Sequence, residues 1–281
     1  MSATVQHVVW TIRANPVTGV AAAGLAVLLV LAVFGPWLQP HDPLASNVSM
    51  ALLPPSSQYW AGTDQLGRDI FSRLIAATRL DLAIAASAVS LSFLAGTFIG
   101  SIAGYMGGRL DRVVGSVVDV LMAFPLFVMA MALVAVLGNR VENIILATAF
   151  INLPFYIRFS RAEVNARRGL GWVEAARACG DSHLKIVLCS LVPNILPAMA
   201  IQVSLNLGWA ILNAAGLSFL GLGITAPTAE WGIMVAEGAR FILSGHWWLV
   251  AFPGAALMLT VLCFNLLGDG LRDILDPRMR T

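Results

Sequence analysis

The residues that could carry chemistry in this chain are few and poorly placed for catalysis. Its apolar runs contain neither a serine–histidine pair nor the paired carboxylates that an intramembrane hydrolase would use. The three cysteines lack CxxC spacing, so free thiols are expected. No GxxxxGK[ST] phosphate loop is present, so ATP hydrolysis by this chain is not expected. The pattern favours a protein that is not an enzyme and binds no metal or cofactor itself.

Asp119 is a carboxylate deep within an apolar run. Such a group costs about 2.5–3.5 kcal/mol at the centre of a membrane helix, so it should face protein or water and have a partner. Arg112, seven residues earlier on the same helical face, and Arg158 are the candidates. If Asp119 took part in a proton relay, the chain would be an ion-coupled secondary transporter, which is one of the functions that the sequence allows. That class typically has inverted repeats and further ionisable ligands, and neither is visible here.

Neutral amides mark one face of the apolar run 192–222. Gln202, Asn206 and Asn213 follow an i, i+4, i+11 pattern, which places them on the same side of a helix. Donors and acceptors without fixed charge suit a polar translocation path through the membrane. Hydrogen bonding between helices accounts for them equally well.

Composition identifies the class of protein that must position these residues. The chain is 58% hydrophobic and 11% charged, against roughly 45–50% and 25% in soluble domains. A spanning helix needs ~20 mostly apolar residues. Six stretches qualify, so we predict an all-α integral membrane protein with six transmembrane helices at residues 17–38, 82–105, 113–137, 141–156, 192–222 and 248–267. Asp81 is expected to cap the second helix, and Pro125 to kink the third.

The basic residues are distributed unevenly between the loops. If the N-terminus is cytoplasmic, twelve Lys and Arg lie in cytoplasmic segments and five outside. The positive-inside rule therefore favours both termini in the cytoplasm. The cytoplasmic set is Arg13, Arg109, Arg112, Arg158, Arg161, Arg167, Arg168, Arg177, Lys185, Arg272, Arg278 and Arg280. The outside set is Arg68, Arg73, Arg79, Arg140 and Arg240.

Residues 158–193, here called the polar segment, separate the fourth and fifth apolar runs. A short helix is predicted over 172–178, with Glu174 near its N-terminus, where a carboxylate favours the helix dipole. Gly180 allows a sharp turn, and Asp181 or Ser182 can cap a second short helix. That helix should carry one apolar stripe and end where Pro193 enters the fifth run. The stripe is Leu184, Val187, Leu188 and Leu191.

An alanine-rich helix permits close backbone approach, so the polar segment could seat in a groove of another protein. The alternative is an amphipathic hairpin that lies on anionic lipid through its six cations.

Two segments are expected on the outer face. In residues 39–80, Asp64, Arg68 and Asp69 suit a local ion-pair turn followed by a helix toward the membrane. This segment is either a docking or gating element or a folded cap. Trp231, with Trp247 and Trp248, suits an aromatic belt at the outer interface and is grouped with the docking candidates. Residues 1–80 are predicted as an N-terminal region and 81–281 as the membrane core.

The polar segment resembles a known family motif. EAARACG at 174–180, followed by nine residues and SLVP, is similar to the EAA motif of ABC-importer permeases. Glu174, Ala175, Ala176, Gly180 and Pro193 match it. GTDQLGRDIFSR at 62–73, LSFLGLGITAPTAEWG at 217–232 and FNLLGDGLRDILDPR at 264–278 extend the likeness. Together they resemble C-type permeases of dipeptide, oligopeptide and nickel ABC importers.

The resemblance implies a MetI-like type I importer permease of the bacterial inner membrane, with an oligopeptide-permease-C-type N-terminal region. Its expected partners are a second permease, two ATPase subunits that bind ATP and Mg²⁺, a substrate-binding protein and membrane lipid, but no nucleic acid. The expected cargo is a dipeptide or oligopeptide, with nickel or a metal chelate as the same-family alternative. The implied ATPase-contact residues are Glu174, Ala175, Ala176, Gly180, Asp181, Leu184 and Pro193.

Overall fold

The computed structural model describes residues 16–275, and regular structure in that range is helical. Arg13, Arg278 and Arg280, which contribute to the predicted orientation, lie outside the described residues. The helices are α1 (Pro16–Leu38), α2 (Ile70–Met106), α3 (Gly108–Ala123), α4 (Leu126–Leu137), α5 (Val141–Arg167), α6 (Gly171–Ala178), α7 (His183–Phe219), α8 (Trp231–Ala239) and α9 (Trp248–Leu275). Short 3₁₀ turns occupy Val48–Met50 and Ile242–Ser244.

The predicted membrane spans are confirmed within the described residues. Helices α1, α2, α5, α7 and α9 are each long and apolar enough to cross a bilayer, and α3 with α4 makes a sixth candidate. The α3–α4 pair is bent by 87°. Phe124 at the bend is extended because the residue before a proline avoids helical angles, so the predicted kink at Pro125 is confirmed.

The predicted start of the second span at residue 82, capped by Asp81, is wrong. Helix α2 begins at Ile70, and the Asp69 side chain caps it by accepting a bond from the Ser72 N–H at 2.9 Å. Asp81 lies inside the helix, 4% exposed, where it accepts a bond from the Trp231 N–H at 3.1 Å. Charged residues make 70–81 too polar for a membrane window, yet the helix continues there. The boundary predicted at residues 80 and 81 consequently falls within α2.

Glycines bring α2 against α5. Gly96, Gly100 and Gly104 recur at four-residue spacing, which places them on one face. A Cβ on Gly100 would overlap the Ile157 carbonyl oxygen, and a Cβ on Gly104 would lie 2.6 Å from that of Arg161. The backbones therefore approach as closely as glycine permits, which is how membrane helices associate when lipid provides no hydrophobic drive.

Helices α1, α7 and α9 complete the bundle around this pair. Helix α1 packs against α2 and α9, and Gly24 leaves room for Cys263 of α9. Helix α9 also contacts α7, where the Ser204 hydroxyl donates to the Phe264 carbonyl oxygen at 2.6 Å. A buried hydroxyl that finds a carbonyl on a neighbouring helix avoids an unsatisfied polar group in the membrane.

We expect Gly100→Ala to destabilise the chain by about 1–3 kcal/mol, because the added methyl group must push α2 away from α5. Gly254→Ala is the matched control, since a methyl group added to that helical glycine of α9 would meet no atom within 4 Å. Unfolding by SDS in mixed micelles, followed by tryptophan fluorescence, measures both variants. Equal unfolding of Gly100→Ala and the wild type would contradict the packing role.

Candidate functional site

The polar segment forms the predicted helix and turn. Helix α6 buries only Val173 among its residues and carries Glu174 in its first turn. It ends in a Schellman motif, in which the Gly180 N–H donates to the Arg177 carbonyl at 3.1 Å and the Asp181 N–H to that of Ala176 at 3.2 Å. Gly180 has φ +84°, so the predicted sharp turn is confirmed and its backbone lies in the left-handed region.

The prediction of a second, separate short helix is wrong, because this helix continues into the fifth span as α7. Ser182, one of the two predicted caps, accepts a bond from the Lys185 N–H at 3.4 Å. A π-helical turn at Ile186–Leu191 then leads into the rest of α7. Pro193 lies just after this turn, about 15 Å along the helix from His183, and no break separates it from the residues before it.

The π turn also divides the predicted apolar stripe. Val187 and Leu191 are buried, whereas Leu184 is 52% and Leu188 43% exposed. The extra residue in a π turn shifts the phase of the helix, so Ile186 joins the buried face instead.

Four large apolar side chains remain exposed around α6 and are called the α6 patch: Leu170, Trp172, Leu184 and Leu188. Among the predicted contact residues, Glu174, Ala175, Gly180, Leu184 and Pro193 are exposed or partly exposed, and Ala176 and Asp181 are partly buried. Large apolar side chains exposed close together along the chain are typical of a protein–protein or membrane contact.

Three cations of the polar segment contact the α2–α3 corner, which comprises residues 104–111. Arg161 forms a bidentate ion pair with Asp111, Arg168 donates to the Gly104 carbonyl at 3.2 Å, and Arg177 donates to the Tyr105 hydroxyl at 3.3 Å. Two more cations pair locally: Arg167 with Glu163 and Lys185 with Asp181, both at 2.5 Å. These side chains are therefore occupied within the chain.

Asp119 lies on an exposed position of α3. Among the described residues, its ion pair with Arg112 or Arg158 is not formed. Its charge acts on Arg161, whose own ion-pair partner is Asp111. The structure therefore places the carboxylate on the protein surface of this subunit, and its role stays a prediction.

The amides of α7 do not share one environment. Gln202 is partly buried, and Asn206 faces the buried Tyr156 of α5. Asn213 is buried and donates to the Trp209 carbonyl oxygen at 2.8 Å, within its own helix. A translocation path along these three side chains stays a prediction.

The cap, defined as residues 39–69 together with α8, contains a buried charge network. The predicted ion-pair turn is confirmed for Asp64 and Arg68, with Arg68 Nε 2.6 Å from Asp64 Oδ2. Asp69 instead caps α2 and lies 3.4 Å from His41 Nδ1. Arg68 also reaches Glu237 of α8 at 3.2 Å, and Arg73 lies between the same two carboxylates at 3.6 and 3.9 Å. Both arginine side chains are 1% exposed. Sequence reasoning missed Arg73 and Glu237, because residues more than 150 positions apart leave no local signal of their pairing.

Trp231 is not part of an aromatic belt, contrary to the prediction. It is 1% exposed, and its indole N–H donates to the Leu74 carbonyl at 3.2 Å, which joins α8 to α2. Trp248 is also buried, while Trp247 is 56% exposed. Asp64, Arg68, Asp69 and Trp231 are all buried, so direct docking through them requires the cap to open. Their docking or gating role stays a prediction.

Glu230 caps α8 beside Asp81. Its carboxylate accepts bonds from the N–H groups of Gly232 and Ile233 at 2.9 and 2.8 Å. Burial nevertheless raises the pKa of the Glu230 carboxyl, because desolvation outweighs these bonds. Ionisation of this group therefore reduces the stability of the fold as the pH rises above its ordinary pKa.

Comparison with known proteins assigns the chain to a family. The family model for the inner membrane component of binding-protein-dependent transport systems matches residues 96–281. The chain belongs to this family. A model for the N-terminal transmembrane domain of oligopeptide transport permease C matches residues 4–55. The protein is thus a multi-pass inner-membrane permease of an ABC importer. Within residues 16–275, no group of three or more His, Cys, Asp or Glu side chains could hold a metal ion.

Several relatives align over nearly the whole chain. The probable D,D-dipeptide permease DdpC of Escherichia coli K12 is 40% identical and covers 96% of this chain and 90% of its own. The dipeptide permease DppC of Alkalihalophilus pseudofirmus is 40% identical, with 93% and 86% covered. The nickel permease NikC of Escherichia coli K12 is 39% identical, with 97% and 96% covered.

We expect Asp64→Ala to destabilise this permease by about 3–5 kcal/mol, because Arg68 and Arg73 lose a buried counter-charge. Glu163→Ala is the matched control, since it breaks a partly exposed pair with Arg167 worth at most about 1 kcal/mol. The apparent melting temperatures of both variants in detergent provide the measurement. A drop for Asp64→Ala no larger than that for Glu163→Ala would show that the buried network is not stabilising.

Proposed function

We propose that this chain forms half of the translocation channel of a heteromeric ABC importer and that an ATPase subunit docks on α6. The exposed α6 patch carries this proposal. Two of its four large apolar side chains lie at the start of α6 and two in the first turns of α7, and the rest of the α6 surface consists of Glu174, Arg177 and small residues. Burial of such a patch is favourable, and alanine at 175 allows a partner's backbone to approach closely.

An anionic lipid surface is the weaker candidate for the occupant of this patch. Adsorption to lipid would draw on cations that face the headgroups. Arg161, Arg168 and Arg177 instead contact the α2–α3 corner, while Arg167 and Lys185 pair with neighbouring carboxylates. Five of the six cations of the polar segment are therefore already engaged within the chain, while Arg158 is exposed and lies 4.0 Å from Met122 Sδ. This small reserve of unpaired positive charge favours a protein partner.

The proposed complex contains a second permease, two ATPase subunits that bind ATP and Mg²⁺, and a substrate-binding protein at the opposite face. Relatives named for D,D-dipeptide, dipeptide and di/tripeptide transport support a di- or oligopeptide cargo. The nickel permease aligns with comparable identity, so a nickel chelate is the second candidate. Selection between these cargoes would depend largely on the substrate-binding protein.

The turn at Gly180 connects the proposed docking helix to a membrane span. The Schellman bonds fix the end of α6, and Ser182 starts α7 two residues after the glycine. Closure of the ATPases would displace α6, and this turn would pass the displacement to α7 as a rigid-body movement. Glu174 and Gly180 are thereby assigned to coupling and not to ATP hydrolysis.

Gly180→Val should uncouple uptake from ATP hydrolysis. A β-branched residue at φ +84° is strained by about 1–2 kcal/mol, so uptake per ATP should fall roughly five- to thirtyfold. Uptake of a radiolabelled dipeptide and ATP hydrolysis are measured together in proteoliposomes that contain the whole importer.

Two variants in the same segment control this experiment. Gly180→Asn should retain most coupling, because asparagine tolerates left-handed angles. Gly169→Val places the same side chain at a glycine that precedes α6 and has open space around it. Full transport by Gly180→Val with the ATPases still bound would overturn the coupling role.

A cysteine at Ala166 should react only from the cytoplasmic side, because the distribution of basic residues predicts the polar segment there. Ala166 is exposed, and the exposed native thiols Cys179 and Cys189 are first replaced by serine. A cysteine at Leu243, which is 100% exposed, is the control expected to react from outside. Labelling of Ala166→Cys in intact cells by a membrane-impermeant maleimide would reverse the proposed orientation.

A further inference from the structure

Tyr105 occupies the centre of the α2–α3 corner. It lies one residue before the end of α2, 6% exposed. Its hydroxyl accepts a bond from Arg177 Nη2 at 3.3 Å and lies 3.2 Å from His183 Nδ1. The Arg177 guanidinium also sits 5.6 Å from the centre of the Tyr105 ring, within the range of a cation–π interaction.

These two contacts come from opposite sides of the Gly180 turn. Arg177 belongs to the last turn of α6, and His183 is the first residue of α7. A single hydroxyl group of α2 therefore holds both helices that the turn connects. A Cβ added at Gly180 would meet no atom within 4 Å, so the turn itself is not restrained by packing there.

The chemistry of the three side chains determines which group donates and which accepts at the Tyr105 hydroxyl. A guanidinium can only donate, so Tyr105 must accept from Arg177. The phenol proton is then available to His183 Nδ1, which accepts it when the neutral imidazole carries its proton on Nε2. Arg177, Tyr105 and His183 thus form a chain of hydrogen bonds across the turn.

Helix α2 extends from this corner to the cap. Its 37 residues correspond to about 55 Å of helix. Gly96, Gly100 and Gly104 fix it against α5, and Arg73 near its first turn joins the charge network with Asp64 and Glu237. A displacement that reaches Tyr105 therefore acts on a continuous helix whose far end is bonded into the cap.

We propose that Tyr105 is a positioning residue that fastens the α6–α7 turn to α2, so that movement of α6 is delivered to α2 as well as to α7. The inference rests on the proposed function, since it assumes that an ATPase moves α6. It adds a second route for that movement, one that leads to the cap through α2.

The distance between α6 and the end of α2 tests this inference in the intact importer. Spin labels are placed at Ala178→Cys and Met106→Cys, both exposed positions, after Cys179, Cys189 and Cys263 are replaced by serine. Pulsed electron paramagnetic resonance then measures the distance without nucleotide and after trapping with Mg-ATP and vanadate. With Tyr105 intact, the same distance is expected in both states, because the two helices move together.

Tyr105→Phe keeps the ring and removes both hydrogen bonds. The trapped state of this variant should show a distance that is shifted or broadened by about 2 Å or more, the size of a helix displacement at an interface. His183→Ala removes one of the two bonds and should give a smaller change, and adding it to Tyr105→Phe should change nothing further. Tyr59→Phe, in the cap, is the control for loss of a phenol elsewhere.

Copurification of the ATPase subunits separates the two proposals. If they do not bind the importer that retains Tyr105, or bind it without needing α6, the proposed function fails. If they bind and trap nucleotide normally but Tyr105→Phe leaves the distance unchanged in both states, the positioning role of Tyr105 is overturned and the proposed function is untouched.

Discussion

The close approach of α2 and α5 is the contact on which the rest of this chain depends. Apolar side chains gain little by exchanging lipid for another helix, so van der Waals packing across small residues must hold the two together. Gly100 and Gly104 allow this, because any Cβ there would overlap carbonyl oxygens of α5. Because the middle of α2 is held against α5, its two ends have defined positions, and the cap and the α2–α3 corner pack against them.

The two ends of α2 use charge differently. In the cap, Arg68 and Arg73 are 1% exposed and lie between Asp64 and Glu237, so loss of any one member leaves the buried network with one net charge uncompensated. At the corner, Arg161 and Asp111 are 31% and 24% exposed, and water can replace part of what is lost when they separate. The cap is therefore the more rigid end, and rearrangement costs less at the corner.

The membrane spans could be predicted from the sequence, whereas the contacts beyond them could not. Apolar length is a local property, and Pro125 breaks the third span for a local reason. A helix after Asp69 was predicted, but its unbroken continuation into the second span was not. Arg73 and Asp81 are too polar for a membrane span until Glu237 and Trp231, far along the chain, supply their partners. The α6 turn was predicted because Gly180 and Ser182 act on their own neighbours. The exposure of Leu184 was not predicted, because the π turn at Ile186–Leu191 shifts the buried face of α7 away from it.

The number of cations in the polar segment and the contacts that they make carry different information. Their number predicts the side of the membrane, but Arg168 and Arg177 make bonds of fixed geometry to the backbone and phenol of α2. A partner that drew these side chains toward itself would compete with the bonds that hold the corner together. A partner that buries the α6 patch leaves them intact, so apolar docking preserves the connection through which a displacement of α6 can reach α2.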